Sequence, residues 1–142
     1  MADSKRARAD SQLSGLAGEF FVAAELLKRG IQTSVTFGNA KAIDLLAHNP
    51  STGNAFTVQV KTLRTRNFIP IAHCRVEPNH VYVFVILNQP GQAVRYFIVA
   101  GKELAANPER FGSSFRAETF PGIKPGVLDE YEDNWAVFGP VE

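Results

Sequence analysis

Two runs decide the fold: Ala42-Ile43-Asp44-Leu45-Leu46-Ala47-His48 and Ala55-Phe56-Thr57-Val58-Gln59-Val60-Lys61-Thr62. Both are strand-length and rich in apolar residues. The segment between them, Asn49-Pro50-Ser51-Thr52-Gly53-Asn54, consists of turn-forming residues. Residues 42–62 therefore read as a β-hairpin. Asp44 interrupts an otherwise apolar arm, where a carboxylate is out of place. On the second arm, period-2 alternation puts Phe56, Val58 and Val60 on one face and Thr57, Gln59 and Lys61 on the other. A carboxylate, an amide oxygen and an ammonium can then converge at one point. Oxygen donors in that arrangement suit a hard divalent cation such as Mg²⁺.

Upstream of the hairpin, Asp10 or Ser11 can cap a helix that runs to about Arg29 and stops at Gly30. At 3.6 residues per turn, Leu13, Leu16, Ala17, Phe20, Ala24 and Leu27 form one stripe, widened by Val22, Ala23 and Leu26. Glu25 and Arg29 fall in the polar gap, but Glu19 lies between Leu26 and Ala23 inside the apolar arc. A carboxylate there must be paired, protonated or bound to something. Ile31–Phe37 is expected to be a strand, followed by a turn at Gly38-Asn39. Downstream, residues 63–79 are irregular and carry Arg64, Arg66 and Arg75. The run His80–Leu87 is apolar on both faces and belongs inside a covered sheet. Ala93–Ala100 reads as a further strand and Lys102–Ala106 as a short helix. Trp135–Phe138 is expected to add an edge strand. The order predicts an α/β protein of the α+β type, with helices on a mixed sheet. One domain is expected over residues 11–142, behind a flexible basic segment at 1–10.

The 142 residues are 45% hydrophobic and 20% charged, which excludes an intrinsically disordered chain. The net charge of +1 conceals a split. Residues 1–75 hold 10 Lys/Arg against 5 Asp/Glu, and residues 76–142 hold 5 against 9. A basic half suggests a polyanion-facing surface. The single cysteine, Cys74, excludes an intrachain disulfide and suggests a reducing compartment, hence the cytoplasm. No apolar run is long enough to span a membrane, and no secretory signal is evident. His48, His73, Cys74 and His80 match no standard zinc spacing.

The run Gly15-Leu-Ala-Gly18-Glu19, then Ile43-Asp44-Leu45, then Val58-Gln59-Val60-Lys61-Thr62 resembles the PD-(D/E)xK nuclease superfamily. The likeness is to its small members of the Holliday-junction-resolvase-like and intron-homing-endonuclease-like types, and it covers about residues 11–87. It implies a restriction-endonuclease-like fold and a DNA endonuclease that uses Mg²⁺ or Mn²⁺ and no organic cofactor. Residue by residue, Glu19 matches the helical carboxylate and Asp44 the central metal ligand. Gln59 stands in the place of the second acidic ligand, and Lys61 matches the catalytic lysine. The metal would then be held by Asp44, Gln59 and the carbonyl of Val60, with Glu19 on a second metal or its water. Ile43 departs from the nominal proline. Gln59 departs from Asp/Glu and removes a charge from the ligand set. Lys41, Arg64 and Arg66 are candidate phosphate contacts. A homodimer is expected, because one small domain covers little duplex.

Each residue also has a plainer reading. Glu19 can pair with Lys41 or Lys61, Asp44 can cap a turn, and Lys61 can be an ordinary strand-end lysine. Lys41, Arg64 and Arg66 can be a solvated basic surface. With Gln at a ligand position, the chain can also be a degenerate nuclease fold that binds nucleic acid or protein without cutting. The acidic stretch Asp129–Asp133 can be a solvated loop or a partner surface.

Overall fold

Helix α1 (Ala2–Lys28) is followed by β1 (Gln32–Val35), β2 (Leu45–His48), β3 (Ala55–Leu63), β4 (Ile69–Pro70), β5 (His80–Ile86) and β6 (Arg95–Ala100). Helix α2 (Gly101–Ala106) and β7 (Gly122–Ile123) complete the regular elements, with short 3₁₀ turns between and after them. The computed structural model describes residues 2–36 and 43–141, with side chains from Asp10 onward. The expected turn at Gly38-Asn39 and the candidate Lys41 lie outside the described residues.

Five strands form one mixed sheet in the order β1-β2-β3-β5-β6. β1, β2 and β3 are successively antiparallel, β3 and β5 are parallel, and β6 runs antiparallel to β5. A parallel pair needs a crossover. Residues 64–79 supply it and contain β4, which pairs with β7 in a separate two-stranded ribbon. The α+β architecture expected from the element order is therefore present, with β5 between two neighbours as its apolar composition requires.

Each face of the sheet carries its own core. Val22 and Leu26 of α1 pack with Leu45, Val58, Val83, Ile98, Trp135 and Phe138 on one face. Tyr82, Phe84, Phe97, Leu104, Phe111, Phe115 and Ile123 fill the other. The α1 layer supports β1, β2, β3, β5 and β6, whereas the second layer is centred on β5 and β6. The β3 positions on that second face, Gln59 and Lys61, come to lie at the margin of this layer.

Three expectations about elements give way. The lead-in over 1–10 and the cap at Asp10 or Ser11 are replaced by a helix that starts at Ala2. The Asp10 carbonyl instead accepts a bond from Ser14 Oγ at 2.7 Å, within the helix. The helix also docks by another face than the stripe predicts. Ser14, Gly18, Val22 and Leu26 are buried, while Leu13, Leu16, Phe20 and Leu27 are exposed. Periodicity shows where apolar residues gather on a helix. It does not show which of two apolar arcs meets a sheet, and here the arc with glycine allows the closer approach. Finally, Trp135–Phe138 is a 3₁₀ turn, not an edge strand. Trp135 and Phe138 are buried and Ala136 is exposed, a spacing of three that suits a 3₁₀ turn and not a strand.

Gly18 sets the depth of helix packing. A Cβ at this position would overlap Thr62 Oγ1 and stand 2.9 Å from Thr62 Cβ and Cγ2. The helix backbone thus rests directly on β3, one residue before Glu19.

Candidate functional site

The hairpin between β2 and β3 opens at Asp44. Leu45 is registered with Val58, and the Asp44 N–H still donates to the Val58 carbonyl at 2.9 Å. At the next β3 donor the carboxylate replaces the strand: Val60 N–H donates to Asp44 Oδ2 at 2.7 Å. Asp44 is therefore not inside β2, as the strand expected over Ala42–His48 implied, but immediately before β2 begins at Leu45. Thr36 fixes it from the other side, donating from its N–H and Oγ1 to the Asp44 carbonyl at 3.0 and 3.1 Å.

Glu19 faces this carboxylate from α1. Burial first, and then the charge of Asp44, raise the Glu19 carboxyl above the usual glutamate range. Neither carboxylate forms an ion pair among the described residues. The expected alternative of a Glu19–Lys61 bridge is absent.

Gln59 and Lys61 share the opposite wall. The parallel register sets Gln59 beside Tyr82 and Lys61 beside Phe84. Gln59 is only 7% exposed. Its Nε2 donates to His80 Nδ1 at 2.8 Å and to the Tyr82 hydroxyl at 3.2 Å. The Tyr82 hydroxyl also accepts from Glu77 N–H at 2.8 Å, and burial pushes its pKa up. With the nitrogen engaged on this side, the Gln59 carbonyl oxygen is its remaining polar end. His80 and Tyr82 were not legible as site residues. His80 entered only a rejected zinc pattern and the start of the apolar run that also holds Tyr82.

Lys61 and Gln59 open onto a cavity of about 1040 Å³. Its other walls are residues 70–77, from the crossover, and residues 115–118 with Phe120 and Pro121. Arg75, Glu77, Arg116 and Glu118 all stand on these walls. Phe120 is 86% exposed at the rim and holds a left-handed φ of 50°. That conformation is unusual for an aromatic residue.

The structure thus brings together Glu19 with Asp44, and Gln59 with Lys61. The two pairs meet at Val60, whose N–H binds Asp44 and which separates Gln59 from Lys61 in the chain. Arg64 and Arg66 leave β3 exposed, and Arg66 lies 3.6 Å from Asp129 in the acidic stretch. Arg95 clamps Glu132 of the same stretch through two bonds of 2.8 and 2.9 Å. The acidic stretch is therefore partly neutralised within the chain. Among the described residues no cluster of three or more His, Cys, Asp or Glu side chains is present. A cation here would depend on two carboxylates and an amide.

The fold is similar to that of the bacterial homing endonuclease I-Ssp6803I, with a TM-score of 0.58 over 89% of each chain at 16% sequence identity. The sequence matches no protein-family model, and no curated protein matches it significantly. In this fold Glu19 and Asp44 lie on the α1 side of the β2–β3 pair, whereas Gln59 and Lys61 line the cavity on the other face of the sheet. No helix among the described residues is long and apolar enough to cross a membrane.

Proposed function

We propose that the protein is a metal-dependent endonuclease that hydrolyses DNA phosphodiester bonds, using Glu19, Asp44, Gln59 and Lys61. The observation that carries this reading is the Asp44 carboxylate, bonded to the backbone between Gln59 and Lys61 and facing Glu19. Two adjacent carboxylates with no basic partner among the described residues form a site of unbalanced negative charge. With the free oxygen of Gln59 and the Val60 carbonyl, the donor set is all oxygen, which suits Mg²⁺ or Mn²⁺. Asp44, Gln59 and Val60 would hold the cation, with Glu19 beside them. When bound, the cation supplies Lewis acidity toward the phosphate.

The remaining chemistry falls to the chain itself. Lys61 contributes an ammonium at the cavity wall, where it offsets charge on the phosphate and orients the attacking water. His80 and Tyr82 hold Gln59 by its nitrogen and so present its oxygen. The cavity takes the nucleic-acid strand, with Arg75 and Arg116 near phosphates and Phe120 offering a stacking surface at the rim. Lys41, Arg64 and Arg66 extend the phosphate contacts, with Arg66 exchanging Asp129 for a phosphate. The active species is a homodimer. The likeness of the fold to that of a bacterial homing endonuclease supports this reading.

One observation favours a second reading, a nuclease fold that binds nucleic acid without cutting it. Gln59 is neutral, and its nitrogen is satisfied by His80 and Tyr82 as a purely structural residue would be. The test incubates supercoiled and branched DNA with Mg²⁺ or Mn²⁺, comparing wild type with Asp44→Ala and Lys61→Gln. Cleavage lost in both variants supports the enzyme. Salt-sensitive binding that survives both substitutions, with no cleavage by any of the proteins, supports the binding module. Absence of DNA binding at low salt refutes both.

A further inference from the structure

Helix α1 is apolar on two faces and the sheet covers only one. At about 100° per residue, the buried arc through Gly18, Val22 and Leu26 lies roughly opposite a second arc through Leu13, Phe20 and Leu27. Leu13 is 60% and Leu27 54% exposed, and Leu16, Phe20 and Phe21 are exposed beside them. A helix that is hydrophobic around most of its circumference is ordinarily buried around most of it. On the scale of ~150–250 Å² for a large apolar side chain, these five residues present on the order of 500 Å². Isolated patches above a few hundred Å² mark contact surfaces. With its polar rim, this one approaches the ~800 Å² per partner of a standard interface.

We infer that this face is the homodimer interface, formed by α1 packing antiparallel on α1 of a second copy. Leu13, Phe20 and Leu27 repeat every seven residues, and Leu16 follows Leu13 by three, the spacing of a helix–helix seam. The sequence is also self-complementary when reversed about Phe20. Leu13 then meets Leu27 of the other copy. Leu16 meets Ala24, a large residue against a small one. The charges agree with the same direction. Asp10 and Lys28 are both exposed and project along the same flank of the helix. In a two-fold antiparallel pair like flanks meet, so Asp10 of each copy comes beside Lys28 of the other. In a parallel pair unlike flanks meet, so Asp10 and Lys28 of the two copies would lie on opposite sides of the pair and form no such contact.

This inference extends the homodimer reading above, but its test is a mass and not a reaction, so its failure and that of the nuclease reading are distinguishable. The molar mass of the full chain is measured by light scattering and sedimentation from low to high micromolar concentration. The expected result is a dimer for wild type, and a monomer for Leu16→Glu/Leu27→Glu, whose dissociation constant rises about a hundredfold or more. Both positions are exposed, and circular dichroism with thermal melting checks that the variant folds. If it does not fold, the surface charges carry the test. Asp10→Lys and Lys28→Asp each weaken the dimer severalfold, and the double reversal restores it. A monomeric wild type, or a dimer whose constant is unmoved by all of these changes, overturns the assignment. Weakening by either single reversal without restoration by the pair overturns the antiparallel direction.

Discussion

Replacing Gly18 with alanine tests the contact that fixes α1 on the sheet. The new methyl would overlap the Thr62 hydroxyl and stand 2.9 Å from two further Thr62 atoms. Ordinary carbon contacts lie at about 3.5–4.0 Å, so helix and strand must separate by roughly an ångström. Overpacking of this kind costs ~1–3 kcal/mol. Alanine regains about 1 kcal/mol of helix propensity over glycine. The expected net loss is therefore up to about 2 kcal/mol, a fall in Tm of up to roughly 8 °C for a chain of this length. Thr62→Ala has the opposite geometry. It removes a hydroxyl that is buried without a hydrogen-bond partner and clears space for the methyl. Its own cost is near zero, because the lost contacts offset relief of the unpaired oxygen. The double variant should recover most of the Gly18→Ala loss, giving a coupling of about 1 kcal/mol or more in a denaturant double-mutant cycle. Gly18→Ala at or above wild-type stability would refute the close approach. So would effects of the two substitutions that add to within ~0.5 kcal/mol. Because Glu19 is the next residue, the same shift draws its carboxyl away from Asp44.

Glu19→Gln should raise stability at neutral pH, since burial and Asp44 disfavour the Glu19 charge in the folded state. Its raised carboxyl makes the wild type lose stability as pH rises through the folded pKa, so the variant's advantage is full above that point. The advantage vanishes below the ordinary glutamate range, as denaturant titrations across pH will show. Added Mn²⁺ should reverse the order, raising the melting temperature of wild type and leaving Glu19→Gln and Asp44→Asn nearly unmoved. Glu132 behaves oppositely. The hydrogen bonds from Arg95 lower its pKa, so its contribution is present above the ordinary glutamate range and lost as pH falls through the folded value. Arg95→Met should cost at most about 1 kcal/mol at pH 7, and the difference should disappear in acid. Asn49→Ala should cost roughly 2–3 kcal/mol in urea melts, because the buried amide donates to the carbonyls of Phe138 and Pro140 at 2.8 and 2.9 Å and accepts from Ser51 N–H at 2.9 Å.

The hairpin and the covered strand were legible because they depend on local pattern. Turn residues at 49–54 and alternation over 55–62 place Gln59 and Lys61 on one face whatever lies beyond. The apolar run at 80–87 demands cover on both sides. What the sequence did not show is long-range. The parallel pairing of β3 with β5, which brings His80 and Tyr82 to Gln59, follows from the path of residues 64–79 and not from any pattern in either strand. The docking face of α1 was hidden for a related reason. Two apolar arcs compete on this helix, and the choice between them rests on glycine meeting Thr62. Glu19 shows the benefit of attending to an exception. Its place inside the buried arc was readable, and it lies on the docked side, facing Asp44. Trp135–Phe138 failed because four residues are too few to separate a period of two from one of three.

Asp44 spends one carboxylate oxygen on the backbone of its neighbouring strand. The residue is therefore a piece of the sheet before it is anything else. A chain of this fold with no catalytic activity would still need an acceptor for the Val60 N–H, and an aspartate at this position would still supply one. Retention of Asp44 in a relative is thus no certificate of activity. Lys61 forms no hydrogen bond or ion pair among the described residues, and its presence or loss is the more discriminating mark.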